Sequence, residues 1–90
     1  MRDDRPWQVF LTERAEQERA RLPARDQGRI RDALLRLQGG LGQGDVRKLQ
    51  DRENEWGLLV GRYRVLFGID RPARTFVVFR VQPRGSAYRA

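Results

Sequence analysis

Apolar and polar positions divide this 90-residue chain into two halves with different periods. Near the start, Trp7-Gln8-Val9-Phe10-Leu11 alternates, which predicts a strand with Trp7, Val9 and Leu11 on one side. Pro6 stands at its entrance, where a missing N–H is tolerated. Thr12 then has the chemistry of a helix N-cap, with Glu13 and Glu16 placed where the helix dipole favours acids. The charged segment Glu13–Leu22 carries only Ala15 and Leu22 as apolar contacts, and Pro23 either ends it or opens the next helix. From Ala24 to Gln38 the helical period is clear, with Ile30, Ala33, Leu34 and Leu37 on one face. Gly39-Gly40 stops that helix, so two helices meeting at a proline read as a hairpin.

After residue 44 the period falls to two. Trp56, Leu58 and Val60 alternate up to Gly61-Arg62, a two-residue turn with glycine first, the signature of a type II′ hairpin. That turn pairs Val60 with Tyr63, Leu58 with Val65 and Trp56 with Phe67. On the other face it sets Leu59 against Arg64 and Gly57 against Leu66. A further strand, Thr75–Val81, follows the turn at Asp70-Arg71-Pro72-Ala73. Pairing Ile69 with Thr75 puts Phe67 opposite Val77, Val65 opposite Phe79 and Arg64 opposite Arg80. The first face then collects Val77, Phe79 and Val81 for the core, and the second face takes Phe76 and Val78. Two arginines directly opposed are destabilising unless an anion bridges them. Val46 and Leu49 read as edge contacts, with Arg47 and Lys48 exposed, and Pro83 ends the last strand. Trp56, Tyr63 and Phe67 read as core residues.

The predicted architecture is α+β in a single domain spanning residues 1–90: an N-terminal strand and a helical hairpin packed on a small antiparallel sheet, in the order β-α-α-β-β-β. The Gly-rich stretch 39–44 does not suit a phosphate-cradling loop, because it follows a helix rather than a strand.

Composition narrows the chemistry. The chain has no Cys and no His, so disulfides, thiolate metal sites and the usual neutral-pH acid–base residue are excluded. The net charge is +7, and Lys48 is the only lysine among 19 basic residues. Arginine favours bidentate phosphate contact and stacking on bases. Residues 1–44 hold 9 basic and 7 acidic groups; residues 45–90 hold 10 and 5. The basic excess of the second half points to an anionic partner, nucleic acid first. With no apolar leader and no long apolar run, a cytoplasmic protein without membrane association is expected.

Three segments carry a family likeness. They are Asp45-Val46-Arg47-Lys48-Leu49 with Trp56 soon after, Val60-Gly61-Arg62-Tyr63-Arg64-Val65-Leu66-Phe67-Gly68-Ile69-Asp70, and Val81-Gln82-Pro83-Arg84-Gly85-Ser86-Ala87-Tyr88-Arg89. Together with the element order they resemble the RelE/ParE superfamily of toxins from bacterial type II toxin–antitoxin systems. The resemblance implies a ribosome-dependent mRNA endonuclease acting in the ribosomal A site without metal or cofactor. In that chemistry a ribose 2′-hydroxyl attacks the adjacent phosphate and leaves a 2′,3′-cyclic phosphate and a 5′-hydroxyl. The family's core arginine matches Arg64, its arginine after the last strand matches Arg84, and its C-terminal tyrosine matches Tyr88, which gives the catalytic set. Arg47, Lys48, Arg62, Arg80 and Arg89 are the candidate RNA-binding residues. The lysines of the best-known RelE motif fall near Gly57 and Leu59 and are missing here.

Preorganised arginines stabilise charge on the equatorial oxygens of an in-line displacement. Tyr88 has two open roles: proton transfer, aided by neighbouring arginines that favour a phenolate, or stacking on the scissile base. The alternative function is a ParE-like inhibitor of DNA gyrase that performs no RNA cleavage, and a third is an RNA-binding module without chemistry. Either toxin reading implies a cognate antitoxin with an acidic, amphipathic segment that wraps the helices or covers the basic face.

Overall fold

A computed structural model describes residues 6–49 and 53–85. The elements are β1 (Gln8–Leu11), α1 (Glu13–Ala20), α2 (Ala24–Leu37), β2 (Val46–Lys48), β3 (Trp56–Val60), β4 (Tyr63–Asp70) and β5 (Thr75–Pro83), with a short 3-10 turn at Leu41–Gln43. The α+β arrangement of a strand, two helices and then a run of strands is the one predicted. Among the described residues no helix is long and apolar enough to cross a membrane.

Local signals explain the helices. The Thr12 hydroxyl accepts the Ala15 N–H at 3.2 Å, which caps α1, and Glu13 and Glu16 fill its first turn. Pro23 is the N-cap of α2, and its carbonyl accepts the Asp26 and Gln27 N–H groups. Gln27 ties the two helices together: its amide donates to the Ala20 and Leu22 carbonyls and accepts from Arg19. Ile30, Ala33, Leu34 and Leu37 are all buried, so the periodicity of α2 selected the correct face.

The sheet has five strands in the order β1-β5-β4-β3-β2. The β3–β4 hairpin has the expected register, with Val60 opposite Tyr63, Leu58 opposite Val65 and Leu59 opposite Arg64. Gly61 takes φ 57, the left-handed conformation that the first position of this turn demands. Two pairings go beyond the predicted order. Residues 46–48 form an edge strand antiparallel to β3, rather than isolated contacts. β1 lies parallel to β5, with Gln8 opposite Thr75 and Leu11 opposite Val78, so the sheet is mixed.

The β4–β5 register departs from expectation and needs correction. Asp70, not Ile69, pairs with Thr75, because the loop contains only residues 71–74. The Asp70 carboxylate accepts the Ala73 N–H at 3.2 Å, and Arg74 closes the loop at φ 48. One residue of slip reverses the faces of β5. Phe76 and Val78 therefore enter the core, at 1% and 0% exposure, while Val77 stays half-buried on the opposite face. A bulge then absorbs Phe79, after which Leu66 pairs with Arg80, Val65 with Val81 and Arg64 with Gln82. Arg64 and Arg80 are not opposed, and no bridging anion is needed to reconcile them.

The core lies between the two helices and one sheet face. Phe67 and Phe76 meet edge to face at 5.5 Å, and Trp7 stacks on Phe76 at 4.6 Å. The Arg74 guanidinium covers the outer side of Trp7 at 4.9 Å. Tyr63 crosses this layer, and its hydroxyl donates to Asp26 of α2 at 3.1 Å. Burial, followed by the hydrogen bond and charge of Asp26, raises the Tyr63 pKa, so this phenol is a fixed donor rather than a base.

Candidate functional site

The sheet face turned away from the helices carries the basic groups. Strand pairing arranges that face in rows. Arg47, Gly57, Leu66 and Arg80 lie across β2, β3, β4 and β5, and Leu59, Arg64 and Gln82 form the next row. One step further, the Arg84 N–H donates to the Arg62 carbonyl at 2.7 Å, so the backbone pairing continues to the hairpin turn. Arg62 belongs to the turn before β4 rather than to the strand, and its charge acts on the Tyr63 phenol, opposing the upward shift that burial and Asp26 cause there.

A groove of about 180 Å³ is lined by Arg47, Lys48, Leu49, Gly57, Leu59 and Arg64. Gly57 opens it: a Cβ there would sit 3.5 Å from Arg64 Cδ and 3.6 Å from Cγ, so the arginine stem lies across a position without a side chain. Arg47 stands on the opposite wall. Its Nε lies 3.6 Å from Asp45, and both side chains are exposed, a pair of little energetic consequence that a phosphate can displace.

The expected site residues thus separate into groups. Arg47 and Arg64 share the outer face and the groove, and Arg62 and Arg84 lie together at the hairpin tip. The guanidinium of Arg84 also approaches the Gly61 carbonyl at 3.4 Å, which holds it at the hairpin tip. Among the described residues neither Arg62 nor Arg84 has an acidic partner within ion-pair distance. Lys48 contributes to the groove wall, but its ammonium lies over the Trp56 ring at 5.9 Å. Arg80 is engaged: its Nε donates to Glu18 of α1 at 3.0 Å. Tyr88 and Arg89 lie outside the described residues.

Two participants had no signal in the sequence. Glu18 looked like one more charge on a polar helix, yet its Oε1 accepts the Val81 N–H at 2.7 Å while the same carboxylate pairs with Arg80. Gln82 looked like tail, yet it neighbours Arg64. Only the bulge at Phe79 brings both into place.

Comparison with known proteins gives the arrangement a context. The model of the ParE toxin of the type II toxin–antitoxin system parDE matches residues 9–88. No curated protein sequence matches significantly. Among solved structures, the RelE–RelB complex of Pyrococcus horikoshii OT3 is similar at TM-score 0.75 and 20% identity, covering 91% of this chain and 99% of that one. The isolated Escherichia coli RelE toxin gives 0.73 and 16%, covering 93% and 87%. The toxin–antitoxin complex RelBE2 of Mycobacterium tuberculosis gives 0.63 at 30% identity, covering 88% and 99%. With a family model spanning nearly the whole chain, the protein belongs to the ParE toxin family of type II toxin–antitoxin systems, within the RelE/ParE superfamily.

Proposed function

We propose that this toxin is a ribosome-dependent endoribonuclease that cleaves mRNA in the A site by attack of a 2′-hydroxyl on the adjacent phosphate. The observation that carries this reading is the placement of Arg64 across a groove from Arg47 on the outer sheet face, with Arg62 and Arg84 joined by a backbone hydrogen bond at the adjoining hairpin tip. Arg64 would neutralise charge on the equatorial phosphate oxygens, and Arg84 would do so from the leaving-group side. The described part of the chain offers no other tyrosine for proton transfer, since Tyr63 is committed to Asp26 with a raised pKa. Tyr88 therefore takes either the proton-transfer or the base-stacking role. Arg47 and Arg62 would follow the RNA backbone.

A second reading has its own support. The groove floor holds Gly57 and Leu59 where the RelE motif places lysines, and the matching family model is that of ParE. A gyrase inhibitor would use the same face for protein contact and perform no RNA chemistry.

One experiment separates the two. The toxin is expressed inducibly and mRNA 5′ ends are mapped on ribosomes, for the wild type and for Arg64→Ala and Tyr88→Phe. In-frame cuts that disappear in the variants support the nuclease; growth arrest with intact mRNA and altered supercoiling supports the gyrase reading. The solved relatives in RelE–RelB complexes support a cognate antitoxin partner for this chain as well.

A further inference from the structure

The side chain of Gln82 is half-buried on the outer sheet face, directly across from Arg64. Its amide is assigned with Oε1 toward Arg80, where it accepts from Nη1 at 3.1 Å and from Nη2 at 2.8 Å. This orientation follows from chemistry, because a guanidinium offers only donors. Arg80 is in turn fixed from behind, since its Nε donates to the Glu18 carboxylate at 3.0 Å. Glu18 is fixed by the Val81 N–H at 2.7 Å. The chain Glu18–Arg80–Gln82 therefore runs from α1 across the edge of β5 to the residue beside Arg64, and each link admits one polarity. The consequence falls on the far end of the amide: its N–H donors are directed away from Arg80, on the face that Arg64 shares.

We infer that Gln82 is an RNA-contacting residue of this toxin, a neutral donor beside Arg64, and that Arg80 and Glu18 are positioning residues that hold its amide in the donating orientation. The inference rests on the nuclease reading above and adds to it a residue on the groove wall. A neutral amide complements arginine there: it donates to a phosphate or base oxygen without adding another cation to a face already rich in them. It also gives Arg80 a task other than binding RNA itself.

The test measures cleavage of a labelled mRNA on programmed ribosomes as toxin concentration is varied, with thermal unfolding of every variant alongside. Gln82→Glu is the informative substitution. It keeps an acceptor for Arg80, so thermal stability should be retained, but it replaces the N–H donors with a carboxylate oxygen. The half-saturating concentration should rise about tenfold or more, the cost of setting a charge of the wrong sign against phosphate. Gln82→Leu should raise it about 3- to 10-fold, the loss of one hydrogen bond of ordinary net strength. Arg80→Ala should act through Gln82, so Arg80→Ala combined with Gln82→Leu should be no worse in half-saturation than Gln82→Leu alone. Wild-type levels of cleavage by Gln82→Glu at every concentration would overturn the inference, as would effects of Arg80→Ala and Gln82→Leu that simply multiply. A wild type that cuts no mRNA on ribosomes overturns the nuclease reading and this inference together. Cleavage by the wild type with an unaffected Gln82→Glu overturns this inference alone.

Discussion

Glu18 accepts the backbone N–H of Val81 at 2.7 Å, so a helix side chain serves β5 just beyond Val78, where its pairing with β1 ends. Without it, a backbone donor at a buried position and the Nε of the half-buried Arg80 both lose their acceptor. Glu18→Ala should therefore cost about 1–3 kcal/mol, which for a domain of this size lowers the melting temperature by about 4–8 °C per kcal/mol. Glu18→Gln keeps an acceptor for Val81 and should lose less. Thermal unfolding followed by circular dichroism ranks the three proteins, and equal melting temperatures would show that water replaces the carboxylate.

The Tyr63–Asp26 hydrogen bond ties the sheet to α2 through the middle of the chain. Tyr63→Phe removes this bond and should lower stability, with the midpoint of chemical denaturation as the readout. The same contact gives a pH dependence with a definite sign. Burial first, and then Asp26, raise the folded-state pKa above the unfolded value. The resulting stabilisation is fully present below the unfolded tyrosine pKa and is lost as pH rises through the folded one. Denaturation midpoints should fall at alkaline pH in the wild type and fall less steeply in Tyr63→Phe.

Asn54 substitutes for a strand neighbour at the other end of the sheet. Its side chain accepts the Ile69 N–H at 2.9 Å and donates to the Ile69 carbonyl at 3.0 Å, from a backbone at φ 52 that asparagine tolerates better than most residues. Asn54→Ala removes both bonds and leaves alanine in a left-handed conformation, so a loss of about 2–3 kcal/mol is expected. Urea titration gives the number. Asn54→Gly, which relieves the backbone but not the hydrogen bonds, should fall between the two.

Leu59 faces the groove where the RelE motif carries a lysine. Leu59→Lys places a cation opposite Arg64, at a stability cost of up to about 1 kcal/mol. It should tighten binding to RNA, and the slope of log affinity against log salt should steepen by about one unit. Fluorescence anisotropy with a labelled RNA oligonucleotide across a salt series measures both. An unchanged slope would place Leu59 outside the RNA path.

The parts of this fold legible in the sequence were those with a local cause. Thr12, Pro23 and Gly39 bound the helices by capping and chain-breaking chemistry. Gly61 set the β3–β4 register because a two-residue turn permits only one. β5 offered no such constraint. Thr75-Phe76-Val77-Val78-Phe79 is apolar at successive positions, so alternation could not distinguish its faces, and one residue of loop length decided which of them became core. The bulge at Phe79 and the parallel partner of β5 depend on distant segments. For the site, the place of Arg64 opposite Leu59 followed from the hairpin, whereas the Arg62–Arg84 pairing depends on the bulge in β5. Glu18 and Gln82 did not, because their roles exist only after the bulge has re-aimed Arg80.

The parallel seating of β1 against β5 also dictates the order of assembly. Residues 8–11 pair with residues 75–78, which follow them in the chain only after both helices and the β3–β4 hairpin. The α2 helix and the β3–β4 hairpin are built from neighbouring residues and can form early, whereas this closure is strongly non-local and comes late. Until it occurs, Trp7, just ahead of β1, lacks Phe76 to stack on. A nascent chain thus passes through a stage with an open sheet edge and uncovered aromatic surface, a state prone to aggregation.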